Sequence, residues 1–153
     1  MRITRVVTSA LLTIFCLTST AAAPMDVTGA DKFAITVYKD PSCGCCKNWI
    51  EHLLKHGYRV ITNDTRDLAS VKRTLGVPER LQSCHTAMVG GYLIEGHVPA
   101  DDIARLLTQR PKIRGLAVPG MPMGSPGMEG PNRQSFAVLT FDAAGKTQLF
   151  ARH

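Results

Sequence analysis

Three cysteines crowd into four positions of this chain, at Cys43, Cys45 and Cys46, and a fourth, Cys84, is followed directly by His85. Cys43-Gly44-Cys45-Cys46 carries a C-x-x-C and a C-x-C spacing at once. Soft thiolate sulfur selects Cu(I), Zn(II) or iron–sulfur centres. Adjacent cysteines chelate a single tetrahedral ion poorly, because their side chains diverge from consecutive Cα atoms. Bridging several ions suits them better. Three crowded thiolates plus Cys84 therefore point to a multinuclear thiolate cluster, for which Cu(I) is the expected metal. His85 adds a nitrogen ligand or a local proton acceptor. Met121, Met123 and Met128 fall in one Gly/Pro-rich stretch. Their thioethers are soft, uncharged ligands that also suit Cu(I), although methionine equally serves as flexible apolar filler.

Other readings of the same residues stay open. In an oxidising compartment, four cysteines default to two disulfides. A Cys43–Cys46 bridge would leave Cys84 with Cys45 or with nothing. Such a pair also fits a thiol–disulfide oxidoreductase. Zinc accounts for four cysteines but not for the methionines or the adjacent pair. His52 and His56, spaced i, i+4, read as a solvated helix face. His97 precedes a helix, and helix entry accounts for it as well as an approach to the site does. His153, at the terminus, is expected to be mobile.

The cluster needs elements to hold it. Phe33 to Lys39 is rich in β-branched and aromatic residues and reads as a strand, broken by Asp40-Pro41-Ser42. Cys46 to His56 places Trp49, Ile50, Leu53 and Leu54 on one helical face, with Gly57 as the stop. The cysteines thus lie between the first strand and the first helix. Sulfurs at a helix N-terminus feel unsatisfied N–H groups and the positive dipole end, which favours thiolate. Tyr58 to Thr62 reads as a second strand. Asp67 caps a helix with Leu68, Val71 and Leu75 on its face, ended by Gly76. Thr86 to Val89 and Tyr92 to Glu95 flank the hairpin signal Gly90-Gly91. A third helix follows Pro99, with Ile103, Leu106 and Leu107 on one face. Residues 115–131 read as an irregular loop. Phe136 to Phe141 and Thr147 to Phe150 form a terminal hairpin around Ala144-Gly145. The order βαβα, hairpin, helix predicts an α/β, thioredoxin-like domain with a C-terminal β-hairpin extension.

The first residues serve another purpose. Arg2 and Arg5 precede the apolar run Val6 to Leu17, and Ala21-Ala22-Ala23 follows. That order of basic, apolar and small residues is a secretory signal peptide over 1–23. Cys16 leaves with it. A short leader over 24–32 and a metal-binding domain over 33–153 remain, roughly 130 residues in all. The run is too short to span a bilayer comfortably, and no second long one follows, so stable membrane insertion is not expected after cleavage. The formal charge is +6. Its basic residues are scattered and not interleaved with aromatics, which argues against nucleic acid as a partner. The expected location is the periplasm.

These residues resemble a known group. Tyr-Lys-Asp-Pro-Ser-Cys-Gly-Cys-Cys before a Trp-containing helix, then Ser-Cys-His-Thr, then Glu-Gly-His-Val-Pro, then Gly-Leu-Ala-Val-Pro-Gly-Met-Pro-Met-Gly-Ser-Pro-Gly-Met-Glu, is the pattern of the domain-of-unknown-function 411 family, to which CopG-type periplasmic copper-resistance proteins belong. The resemblance runs from about Phe33 to the terminal hairpin. It implies a thioredoxin-like fold and copper handling at a multicopper site. Cys43, Cys45, Cys46 and Cys84 would be the core ligands, with His85 and the loop methionines nearby. Copper ions and other periplasmic copper-handling proteins are the implied partners. Thioredoxins proper match less well. They carry a proline immediately before the strand facing the C-x-x-C, where this chain has Ser83-Cys84-His85-Thr86. That counts against ordinary disulfide exchange.

Overall fold

The computed structural model describes residues 34–153. The expected signal peptide and leader, and Cys16 with them, lie outside the described residues. The described chain is mixed α/β. Its elements run β1 (Ala34–Lys39), α1 (Gly44–Lys55), β2 (Arg59–Asp64), α2 (Leu68–Leu75), β3 (His85–Val89), β4 (Tyr92–Glu95), α3 (Ala100–Gln109), β5 (Gly115–Ala117), β6 (Ala137–Phe141) and β7 (Thr147–Arg152), with a 3-10 turn at Glu79–Leu81.

One seven-stranded sheet takes the order β2-β1-β3-β4-β5-β6-β7. β1 pairs parallel with β2 and antiparallel with β3. β4 pairs antiparallel with β3 and parallel with β5. Burial along β1 alternates, as expected of side chains that point to opposite faces, with Ile35, Val37 and Lys39 inward. The main core gathers Ile35, Val37, Trp49, Leu53, Ile94, Ile103, Leu106 and Leu116. Trp49 fixes α1 to the entry of α3, its Nε1–H donating to Val98 O at 2.9 Å.

Helix ends follow the chemistry of their caps. Asp67 Oδ1 accepts from Ser70 N at 3.0 Å and opens α2, and Gly76 closes it. Pro99 gives α3 no side-chain cap. His52, from α1, fills that role, its Nε2 accepting from Ala100 N–H at 3.1 Å. This half-buried ring is therefore an inter-helix cap rather than part of a solvated face.

The structure departs from the sequence-based expectations in three further places. Gly115–Ala117 is a strand, not loop, because β4 and β6 each offer it a ladder. α1 begins at Gly44, two residues before the expected start, so the cysteines lie within its first turn and cap. His153 is held, not mobile. Its ring contacts Asp102 Oδ2 at 2.7 Å and stacks on Phe136, and its backbone pairs with Phe136 in both directions.

Candidate metal centre

Cys43 is the N-cap of α1, and its Sγ accepts from Cys46 N–H at 3.3 Å. The helix turn carries Cys46 back over Cys43, and the two form a disulfide. Cys45 and Cys84 are free thiols. Cys45 Sγ lies 3.6 Å from Cys43 Sγ and 3.8 Å from Cys84 Sγ. Cys46 Sγ is 3.6 Å from Cys84 O. All four sulfurs lie within 4.8 Å of one another, with Cys46 buried and the other three partly open.

Cys84 arrives from across the sheet. It immediately precedes β3, whose first residue, His85, pairs with Lys39 at the end of β1, and β1 leads directly into the cysteine turn. His85 is fully buried. Its Nδ1 is 3.2 Å from Cys84 Sγ, and its ring lies 4.2 Å from Trp49 and 5.0 Å from His97, centroid to centroid. His85 Nε2 is buried with no hydrogen-bond partner. Burial first, then His97 and Lys72, holds this imidazole well below the ordinary histidine range.

His97 completes the cluster. Its Nδ1–H donates to Pro126 O at 2.7 Å. In a neutral ring, Nε2 then carries the lone pair, and it faces Cys84 Sγ at 2.9 Å. Burial lowers the His97 pKa. Burial, with Cys45 second, pushes the Cys84 thiol up to about 12. The metal-free arrangement is therefore a neutral thiol donating to a neutral imidazole. An arriving soft cation would displace the thiol proton, with an acceptor already in contact. Cys84, His85 and His97 form a second donor set whose ligand atoms lie within 4.8 Å of one another.

The methionine loop lies over the start of α1. A Cβ on Gly127 would come within 2.7 Å of both Cys45 O and Trp49 N. Pro126 holds His97, and Glu129 Oε1 accepts from Gly127 N–H at 2.7 Å. Of the three methionines, Met121 is 40% exposed. Met123 packs its Sδ against Gly130, and Met128 closes the loop by accepting from Gly124 N–H at 2.7 Å. The backbone of the loop is brought to the site. Met121 is an exposed side chain, and the Met123 sulfur packs on its own loop.

The donor set fits a soft metal. Two sulfurs about 2.3 Å from one tetrahedral ion lie roughly 3.8 Å apart, and Cys45 has that spacing from both Cys43 and Cys84. Opening the Cys43–Cys46 disulfide would give four thiolates in reach of bridging ions. Sequence reasoning named the four cysteines and His85 and left His97 open. The signal for His97 was in the hairpin.

Residues 81–128 match the model of the family described as "Protein of unknown function, DUF411". Two solved structures of a copper resistance protein, copG, are similar over nearly their whole length. Form 2 is 45% identical, covers 78% of this chain and 97% of its own, and superposes with a TM-score of 0.74. Form 1 is 44% identical over 80% and 98%, with a TM-score of 0.75. No curated protein gives a significant match.

Proposed function

We propose that this chain, a member of the DUF411 family together with the copper resistance protein copG, binds copper for resistance or homeostasis in the periplasm. It holds Cu(I) and Cu(II) as a multinuclear cluster on Cys43, Cys45, Cys46 and Cys84, with His85 and the methionine loop alongside. One observation carries this reading: Cys45 Sγ stands within 3.8 Å of sulfurs on both sides, from α1 and from the start of β3. That is the spacing of sulfurs that share a metal ion, on either side of Cys45.

Export on residues 1–23 delivers a domain over 33–153. The order β1-α1-β2-α2-β3-β4-α3, with the cysteines at the β1–α1 junction, supports a thioredoxin-like core extended by β5 to β7. Among the described residues, no helix is long and apolar enough to cross a membrane. Copper is the cargo, exchanged with other copper-handling proteins of the same compartment. Loading all four sulfurs requires an external dithiol, which is oxidised to its own disulfide as it supplies the two electrons that open the Cys43–Cys46 bond. Metal analysis of anaerobically purified protein should find more than one copper per chain, and Cys45→Ser should lower that count. A single zinc per chain would sink the reading.

The disulfide supports a second reading, in which Cys43 and Cys46 exchange disulfides with substrate proteins. Metal-free protein would then reduce insulin at rates near those of thioredoxin, and Cys45→Ser would leave that rate unchanged. Near-background reduction is the expected result.

A further inference from the structure

Behind Cys84 lies a buried charge pair that the metal centre does not use. Lys72 of α2 and Glu95 of β4 have side chains 5% and 0% exposed, with Nζ to Oε1 at 2.5 Å. Glu95 accepts twice more. Ser83 N–H donates to Oε1 at 2.6 Å, and the Thr86 hydroxyl donates to Oε2 at 2.6 Å. Lys72 Nζ also donates to Thr86 Oγ1 at 2.7 Å. Ser83 and Thr86 are the residues on either side of Cys84-His85.

Burying two charges costs several kcal/mol per ion, and apolar residues of like volume are often as stabilising. Stability alone is thus a poor reason for the pair. What an apolar replacement lacks is the ability to grip the chain at defined points. Ser83 lies ahead of the strand ladder, which begins at His85, and its N–H is held by Glu95. A carboxylate can accept at both oxygens, so one side chain ties down both flanks of the Cys84-His85 dipeptide. Charge-assisted bonds are also the shorter and stronger kind.

We infer that Lys72 and Glu95 are positioning residues that hold Cys84 Sγ within reach of Cys45 and His97. For its meaning in copper binding this inference rests on the reading above. Its geometry does not, and two measurements separate them.

The first uses no copper. In metal-free Cys45→Ser protein with the Cys43–Cys46 disulfide intact, the alkylation rate of Cys84 is followed by mass spectrometry of its peptide. Adding Lys72→Met with Glu95→Gln, which removes both charges, should raise the rate several-fold while the fold and melting cooperativity persist. Thr86→Val should also raise it, and Thr86→Ser, which keeps the hydroxyl, should not. A rate within twofold of the parent in the folded double variant overturns the inference. If that variant does not fold, equal rates for Thr86→Val and Thr86→Ser do so. The second measures copper. The double variant should bind about 10-fold more weakly, as losses around a metal's ligands do. The effect should vanish in a Cys84→Ser background, as a double-mutant cycle requires. An undiminished effect in that background overturns the inference. Wild-type protein that takes up no copper sinks the copper reading alone, and the alkylation rates still decide the positioning.

Discussion

Gly127 is the residue at which the methionine loop meets the cysteine helix. Its φ is +86°, and an added methyl would press on Cys45 O and Trp49 N at 2.7 Å, both backbone atoms that cannot step aside. Gly127→Ala should therefore cost about 2 kcal/mol or more, read as a lower denaturation midpoint, and hydrogen exchange of residues 120–130 should rise with it. Unchanged exchange in that segment would mean that the close approach is not what holds the loop. The four cysteines were legible at this scale because their residue type and crowding are rare. His97 was legible by a longer route. The Gly90-Gly91 turn sets a register in which Thr86 faces Glu95. Extending that ladder by two residues brings position 84 opposite position 97. Read alone, Gly-His-Val-Pro looks like an approach to a helix. The disulfide was weighed as one pairing among several, and only the helical turn that folds Cys46 back over Cys43 singles it out.

The helices were read from periodicity and caps, and those signals were local enough to survive folding. α2 is an example. Asp67 stands one residue before the apolar face, and its carboxylate meets Ser70 N–H. Asp67→Ala should cost about 1 kcal/mol, measured by urea denaturation. Because α2 carries Lys72, the same substitution should also loosen the grip on Ser83 and Thr86, seen as faster exchange at Ser83 N–H. β5 shows the opposite case. Gly-Leu-Ala has no period and little strand propensity, and it lies at the head of a Gly/Pro/Met-rich stretch. It becomes a strand because β4 and β6 leave a gap of one strand width between them. Such an element is dictated by its neighbours rather than by its own residues. The 3-10 turn at Glu79–Leu81 was likewise too short to announce itself.

Taken as a whole, the metal-free molecule is built around neutral histidines. His52 is depressed chiefly by burial and next by His56, with Glu129 and Asp101 opposing, while burial leads for His85 and His97 too. Each titrates in the folded protein below its ordinary value near 6.5, so the unfolded chain binds more protons in that interval. The associated stability is full above about pH 6.5 and is lost as pH falls below it. Glu95, raised by its burial, has the opposite sign, but its Lys72, Thr86 and Ser83 partners restrain that rise. The denaturation midpoint should therefore drop between about pH 7.5 and about pH 5.5. His52→Gln, whose carbonyl can still accept from Ala100 N–H, should drop less. An equal drop would remove His52 from the account. The sheet itself carries a different kind of constraint. β3 is clamped from both sides, with His85 against Lys39 and Thr86 against Glu95. Side chains alternate faces along a strand. Deleting one residue between Thr86 and Val89 would move Cys84 to the position His85 now holds, out of register with the sulfurs of α1, and bring Ser83 to its place, even with every ligand still encoded. In this stretch a single-codon insertion or deletion is more damaging than most substitutions.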